Sequence, residues 1–147
     1  MSTPDADGML AEQLLRLTRR IHRIQKHQLE PVGITPAQGR LLRALALYDT
    51  PPSMADLARR LEVVPRAVTT LVDGLEACDR VRRVPDPVNR RVVRIELTAT
   101  GTATLRALRD ARRSAAETVL APLTADQREV LGGLLSTLVD GGAEFRR

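Results

Sequence analysis

The sequence predicts a mainly α-helical chain that carries one small β-hairpin. Apolar residues recur at helical spacing in several separate stretches. A Ser or Thr followed three residues later by Asp or Gln, which is the start signal of a capped helix, precedes three of these stretches. Only residues 81–97 show two β-rich runs on either side of a loop that contains Pro and Asn.

Length and composition predict one domain with a basic charge that suits a polyanionic partner. Its 147 residues, 43% of them hydrophobic, suffice for one buried core. The formal net charge is +5, and every basic residue except Lys26 is an arginine, a balance that suits nucleic acid. Tyr48 and Phe145 are the only aromatic residues, which argues against stacking of single-stranded bases but not against duplex recognition.

The first eight residues are polar and lack a signal-peptide core, and no run approaches the roughly 18 apolar residues of a membrane span. We therefore expect a cytoplasmic protein. Residues 1–8 are expected to form a flexible arm, because their composition buries little. The lone Cys78 cannot form an internal disulfide.

A long amphipathic helix is predicted within residues 9–30, where apolar residues alternate at spacings of four and three. These residues are Leu10, Leu14, Leu17, Ile21 and Ile24. A second helix begins at the capping box Thr35–Gln38, with Pro36 at its first position, and is expected to run to Tyr48.

Residues 53–77 predict two short helices joined by a tight turn. Ser53 and Asp56 start the first helix, and Pro65 suits the first turn of the second. One face of the second helix is apolar, while the opposite face and its flanks carry small polar side chains and one arginine. Asp73, on that outer face, would repel phosphate, so we expect it to pair with a nearby arginine or to face away from DNA.

Two β-rich runs follow, Val81–Val84 and Val92–Leu97, and predict a hairpin with Arg90 and Arg91 at its tip. A helix-turn-helix followed by an arginine-tipped hairpin is a winged helix. Its second helix fits a major groove, while the wing reaches the minor groove and phosphates. Arginine pairs with guanine, and threonine hydrogen-bonds to bases or contacts a thymine methyl. The candidate DNA-binding residues are Arg66, Ala67, Thr69, Thr70, Arg82, Arg90 and Arg91.

Two more helices are predicted after the wing, one capped by Thr98 and one started by the capping box Thr124–Gln127. The helices at the two ends of the chain have more apolar face than a small winged core can cover. We therefore predict a single domain in which residues 32–98 form the DNA-binding core, while residues 9–30 and 99–145 form an isologous dimerisation region.

Several short motifs occur in a specific order along the chain: Gly33–Gln38, Leu57-Ala58, Val68–Asp73, Leu75-Glu76, Asp86-Pro87, Arg90-Arg91 and Leu97–Gly101. Together they resemble the MarR family of bacterial transcription regulators over residues 10–145. The resemblance implies a helical dimer with a small wing that binds pseudo-palindromic DNA and is usually released by a small ligand or an oxidant. It also implies an effector site between the dimerisation helices and the winged unit, near His22, His27, Arg43 and Tyr48.

Two positions depart from the family's pattern. Asn89 stands where an aspartate usually precedes the arginine pair, which removes an ion pair that would stiffen the wing. Asp79 stands where a glycine commonly allows a positive φ, a conformation that Asp tolerates better than most residues. No basic partner for Cys78 is evident, so we expect a small packing residue there. His22 and His27 lack the i, i+4 spacing of a metal pair, so no metal is expected.

We interpret the chain as a dimeric, sequence-specific regulator of transcription that binds double-stranded DNA. It would be a ligand-responsive repressor with a small-molecule effector and no cofactor. The alternative is a winged-helix module that binds other proteins and shows no salt-sensitive duplex binding. An enzyme is not expected, because the sequence shows no nucleophile–base pairing, glycine-rich phosphate loop or metal spacing.

Overall fold

The computed structural model describes residues 4–141, which fold into six α-helices and one two-stranded antiparallel hairpin. The elements are α1 (Pro4–Leu29), α2 (Pro36–Leu45), α3 (Met54–Leu61), α4 (Pro65–Ala77), β1 (Val81–Pro85), β2 (Val93–Leu97), α5 (Ala99–Leu120) and α6 (Ala125–Asp140). A 3₁₀ turn, Glu30–Val32, follows α1. The predicted fold class, mainly helical with a small wing, is confirmed.

Helix α1 begins at Pro4 and not near Met9, so the predicted arm is wrong over residues 4–8, while residues 1–3 lie outside the described residues. Proline is well suited to the first turn of a helix, because the amide there has no intrahelical partner in any case. The composition of this stretch was a poor guide, since a projecting helical turn does not need to bury side chains.

The four helix starts predicted from capping residues are confirmed, and one predicted end is wrong. Thr35, Ser53 and Thr124 each form a complete capping box, and the Thr98 hydroxyl accepts the Gly101 N–H. Helix α2 ends at Leu45 and not at Tyr48. The N–H groups of Leu47 and Tyr48 bond to carbonyls three residues back, those of Ala44 and Leu45, and this tightens the chain beyond the helix end.

The core lies between α2, α3, α4, the wing and the middle of α5. Its most deeply buried side chains are Leu41, Leu42, Leu57, Val68, Val72, Leu75, Val81, Ile95 and Leu108. In the hairpin, Val81 pairs with Leu97 and Pro85 with Val93. The N–H of Ile95 also donates to the Pro52 carbonyl over 2.9 Å, so the wing is attached to the segment that leads into α3.

The apolar faces of α1 and α6 remain open. Their exposed side chains are Met9, Leu10, Leu14, Leu15, Leu17, Val130, Leu134, Leu135, Leu138 and Val139. Within residues 4–141, α6 has almost no packing contact with the other elements. Residues 142–145 of the predicted dimerisation region lie outside the described residues. No helix in the described part of the chain is long and apolar enough to cross a membrane.

Candidate nucleic-acid interface

The outer face of α4 presents the side chains that periodicity predicted. Arg66, Thr69 and Thr70 are exposed, and Ala67 is half-buried. The hydroxyls of Thr69 and Thr70 each donate to the backbone carbonyl four residues earlier, both over 3.2 Å. This bonding fixes the two side chains and leaves their methyl groups and oxygen lone pairs available to a ligand.

Asp86 organises the wing loop. Its Oδ1 accepts the N–H of Val88 over 2.8 Å and that of Asn89 over 2.9 Å, and its Oδ2 accepts Nε of Arg94 over 2.5 Å. The N–H of Asn89 comes first among the causes that lower the pKa of Asp86 to about 2, followed by Arg94 and the N–H of Val88. The carboxylate is therefore charged near neutral pH and holds the loop in one shape.

Arg94 connects this loop to the helix-turn-helix. Besides its bond to Asp86, it donates to the Pro51 carbonyl over 3.1 Å and lies 4.0 Å from the Asp56 carboxylate, at the start of α3. The pKa of Asp56 is lowered, and the hydrogen bond that its carboxylate accepts from the Ser53 N–H contributes most to this shift. The expected loss of stiffness at Asn89 is thus offset, because the Asp86–Arg94 pair anchors the wing instead.

A second brace joins β1 to α4. Arg83 donates to Asp73 over 2.5 Å and to Glu76 over 2.6 Å, and Asp73 is the first cause that raises the pKa of Arg83. The prediction that Asp73 pairs with an arginine is confirmed. Arg83 and Arg94 were not predicted as wing anchors, because their partners lie in other elements and no local sequence pattern joins them.

The wing arginines differ in their availability. Arg82 faces Glu96 across the hairpin and bonds to its carboxylate, so this candidate already has an anionic partner. Arg90 and Arg91 are exposed at the tip, and neither has a carboxylate partner among residues 6–141, whose side chains are described. Arg66 on α4 is likewise unpaired in this range. Arginines without a described carboxylate partner therefore lie on both elements that would face DNA, although other parts of the surface carry such arginines as well.

The turn after α4 gives one confirmation and one correction. Asp79 adopts the predicted left-handed conformation, with φ of 56°. Cys78 is exposed and does not pack in the core, contrary to the prediction. The reason is its place just beyond the last residue of α4, where the chain has already left the buried stripe.

The four effector candidates do not lie together. His22 and Arg43 line a cavity between α1, α2 and α5, and Leu29 and Leu108 contribute apolar walls. Tyr48 lies at a different cavity, beside β2 and α5. His27 is exposed, with its Nδ1 3.8 Å from the Glu30 carboxylate.

The geometry defines a class of protein. A capped helix-turn-helix, an exposed arginine on the second helix and a braced, arginine-tipped hairpin together form a winged helix-turn-helix. Residues 32–92 match the MarR family by sequence. Over its winged core, the chain is therefore similar to proteins of the MarR family.

The chain is also similar in sequence to individual proteins whose function is named. The chain is 33% identical over 99 residues to the HTH-type transcriptional repressor MdtR of Bacillus subtilis, and the match covers 65% of this chain and 63% of MdtR. It is 33% identical over 90 residues to the HTH-type transcriptional repressor NicR of Pseudomonas putida, covering 61% and 57%. The matches therefore span less than two thirds of these relatives.

One solved structure extends the similarity over almost the whole chain. The crystal structure of YusO from Bacillus subtilis superposes with a TM-score of 0.84 at 25% identity, covering 95% of this chain and 99% of YusO. The terminal helices thus belong to the shared fold together with the winged core.

Proposed function

We propose that the protein is a dimeric transcription regulator that binds double-stranded DNA sequence-specifically and acts as a repressor. The observation that carries the proposal is the placement of Arg66, Arg90 and Arg91 on two rigidly connected elements. Their charges have no carboxylate partner among the described side chains of residues 6–141. MdtR and NicR, which are named as transcriptional repressors, support the same function. Such a regulator works on the chromosome, so cytoplasmic location is part of the proposal.

In the proposed complex, α4 enters the major groove and the wing lies along the adjacent minor groove. Arg66 reads guanine, and the methyl and hydroxyl groups of Thr69 and Thr70 contact thymine or other base edges. Arg90 and Arg91 contact phosphates or the minor groove, which adds affinity with less sequence information.

The open faces of α1 and α6 support a two-fold dimer. Full burial of one Leu or Val side chain contributes about 1.5–3 kcal/mol, so the exposed row on these helices favours association strongly. A second copy would bury both faces in an isologous interface. The two α4 helices would then read half-sites about 34 Å apart, which calls for a pseudo-palindromic operator.

A titration of duplex DNA from upstream of the protein's own gene tests this function, with a scrambled duplex as the control. We expect preference for the upstream duplex and a linear fall of log affinity with log salt, since phosphate contacts release counterions. The competing function is a winged-helix module that binds proteins. Binding that is absent, or insensitive to salt between about 50 and 200 mM, would favour that alternative.

We also propose that the cavity between α1, α2 and α5 binds an anionic effector with an apolar body. His22, Lys26, Arg40 and Arg43 line it beside apolar walls, and the three Lys and Arg side chains have no carboxylate partner in the described part of the chain. Burial, followed by Arg112 and Arg40, lowers the pKa of Arg43. An anion would relieve this mutual repulsion.

Benzoate and hexanoate are suitable aromatic and aliphatic probes for this cavity. A carboxylate that fits is expected to weaken operator binding about fivefold or more, which is the scale of a typical coupling between sites. Arg43→Gln should remove this response. Arg106→Gln, at the separate cavity of Tyr48, is the matched control, and loss of the response in that variant alone would place the effector there.

A further inference from the structure

The turn that leaves α4 is tied to the start of α5 by backbone hydrogen bonds. The N–H of Arg80 donates to the Leu75 carbonyl over 2.9 Å and completes the end of α4. Thr98, the N-cap of α5, donates its N–H to the Arg80 carbonyl over 3.2 Å and its hydroxyl to the Asp79 carbonyl over 2.5 Å. Hydrogen bonds from Thr98 to the carbonyls of Asp79 and Arg80 therefore join the end of α4 to the first turn of α5.

The side chain of Arg80 extends this connection to a third element. It is half-buried, and its Nε donates to the Thr104 hydroxyl of α5 over 3.1 Å. Its Nη2 donates to the carbonyl of Val32, in the 3₁₀ turn after α1, over 2.5 Å. Because both donors are engaged inside the protein, this guanidinium differs from the free arginines of the DNA-facing surface.

The geometry around Arg80 leaves little freedom for rearrangement. Thr104 is only 6% exposed, and its hydroxyl also donates to the Thr100 carbonyl over 2.9 Å, so the acceptor is held in place. A Cβ on Gly101 would lie 1.9 Å from the Arg80 carbonyl oxygen. The backbones of α5 and of the turn therefore approach as closely as a glycine allows.

We propose that Arg80 is a positioning residue for DNA binding, which fixes the angle of α4 relative to α5 and to the turn after α1. The inference rests on the proposed function. In a dimer built on α1, α5 and α6, this angle sets the separation of the two α4 helices. A small rotation at Arg80 is amplified along α4, so loss of its bonds would misplace Arg66 and the wing without removing any contact to DNA.

The sharpest test leaves the net charge unchanged. Thr104→Val removes the acceptor of Arg80 and keeps a similar shape, while Thr104→Ser keeps the hydroxyl. We expect Thr104→Val to weaken operator binding about tenfold, the scale of one lost hydrogen bond to a charged group, and Thr104→Ser to restore it. Thr102→Val is the matched control, since the Thr102 hydroxyl bonds only to a carbonyl of its own helix.

The salt dependence of binding separates positioning from direct contact. Thr104→Val and Arg80→Lys are expected to weaken binding without changing the salt slope, whereas loss of a phosphate contact lowers the slope by about one. In a double-mutant cycle, Arg80→Gln with Thr104→Val should bind no worse than Arg80→Gln alone, because both changes break one contact.

Thermal unfolding and sedimentation of each variant show that the compared proteins are folded dimers. Wild-type affinity in both Thr104→Val and Arg80→Lys, or a reduced salt slope in Arg80→Gln together with rescue by lysine, would overturn the positioning role while leaving the proposed function intact. Failure of the wild-type protein to bind any duplex would instead overturn the proposed function.

Discussion

The winged core and the terminal helices differ in how completely one chain satisfies them. In the core, α2, α3, α4 and the wing bury their apolar side chains together. Asp73 and Glu76 of α4 pair with Arg83 of β1, and Asp86 of the wing loop pairs with Arg94 of β2. On α1 and α6 the apolar rows stay exposed, and α6 has almost no contact with the rest of the described residues. The winged core is thus complete within one chain, whereas the terminal helices leave an apolar surface that the proposed dimer would cover.

This difference separates two kinds of control over DNA binding. Arg83 attaches β1 to α4 through Asp73, and Arg94 attaches β2 to the Pro51 carbonyl and to Asp56 at the start of α3, all within one chain. In the proposed dimer, the distance between the two winged cores would depend on how the terminal helices meet and on the angle of α4 that Arg80 fixes. Under the proposed function, the rigidity of the winged core would then set which half-site is recognised, while the dimer interface would contribute to the spacing of the half-sites.

The largest effect is expected from a charge placed on the open face of α6. Leu134 is 59% exposed in the single chain, and Leu134→Asp would bury an unpaired carboxylate in the dimer. We expect a monomer in sedimentation and a loss of operator affinity of about 10² to 10⁴, the scale of lost bivalency. The matched control is Leu47→Asp, because Leu47 is 66% exposed but lies on the surface of the winged core and not on a terminal helix. If both variants were monomeric to the same extent, the proposal that the terminal helices form the dimer interface would be contradicted.

A smaller effect is expected from the wing arginines. Arg90→Ala and Arg91→Ala should each weaken binding to all duplexes and lower the salt slope by about one, because their charges are free to meet phosphate. Arg82→Ala should change the slope less, since Arg82 is bonded to Glu96. Anisotropy titrations over a series of salt concentrations measure both quantities. A larger slope change for Arg82→Ala than for the tip variants would contradict this ranking.

Much of the fold was predictable because its signals are local. Capping boxes at Thr35, Ser53 and Thr124 and the apolar stripe of α4 depend on residues three or four apart, and all of them are confirmed. The outer face of α4 followed from the same periodicity. The start of α1 at Pro4 was missed, because a helix that projects without burial leaves no apolar pattern there.

The braces of the candidate site could not be predicted, because they join residues that only the fold brings together. Arg80 reaches Thr104 and Val32, 24 and 48 positions away in the sequence. The sequence also could not show that Arg82 is paired while Arg90 is not, because the pairing of Arg82 with Glu96 depends on the register of the hairpin. The effector candidates divided between two cavities for the same reason: Tyr48 lies beyond the end of α2 and faces a different side of the core.

The smallest expected effect concerns the base of the wing and its dependence on pH. The pKa of Asp86 is lowered to about 2 in the folded protein, against about 3.9 for an unfolded Asp, so the unfolded chain takes up the proton more readily. The stabilisation from this carboxylate is therefore fully present above pH of about 4 and is lost as the pH falls towards 2.

Asp86→Asn should lower the melting temperature at pH 7, and the difference from wild type should shrink at pH 3 and below. Glu96→Gln, which disturbs an exposed pair of the same hairpin, is the control. If the deficit of Asp86→Asn is the same at pH 7 and at pH 2.5, the carboxylate does not anchor the wing through its charge, and hydrogen bonding that an amide can replace accounts for the rigidity of the loop.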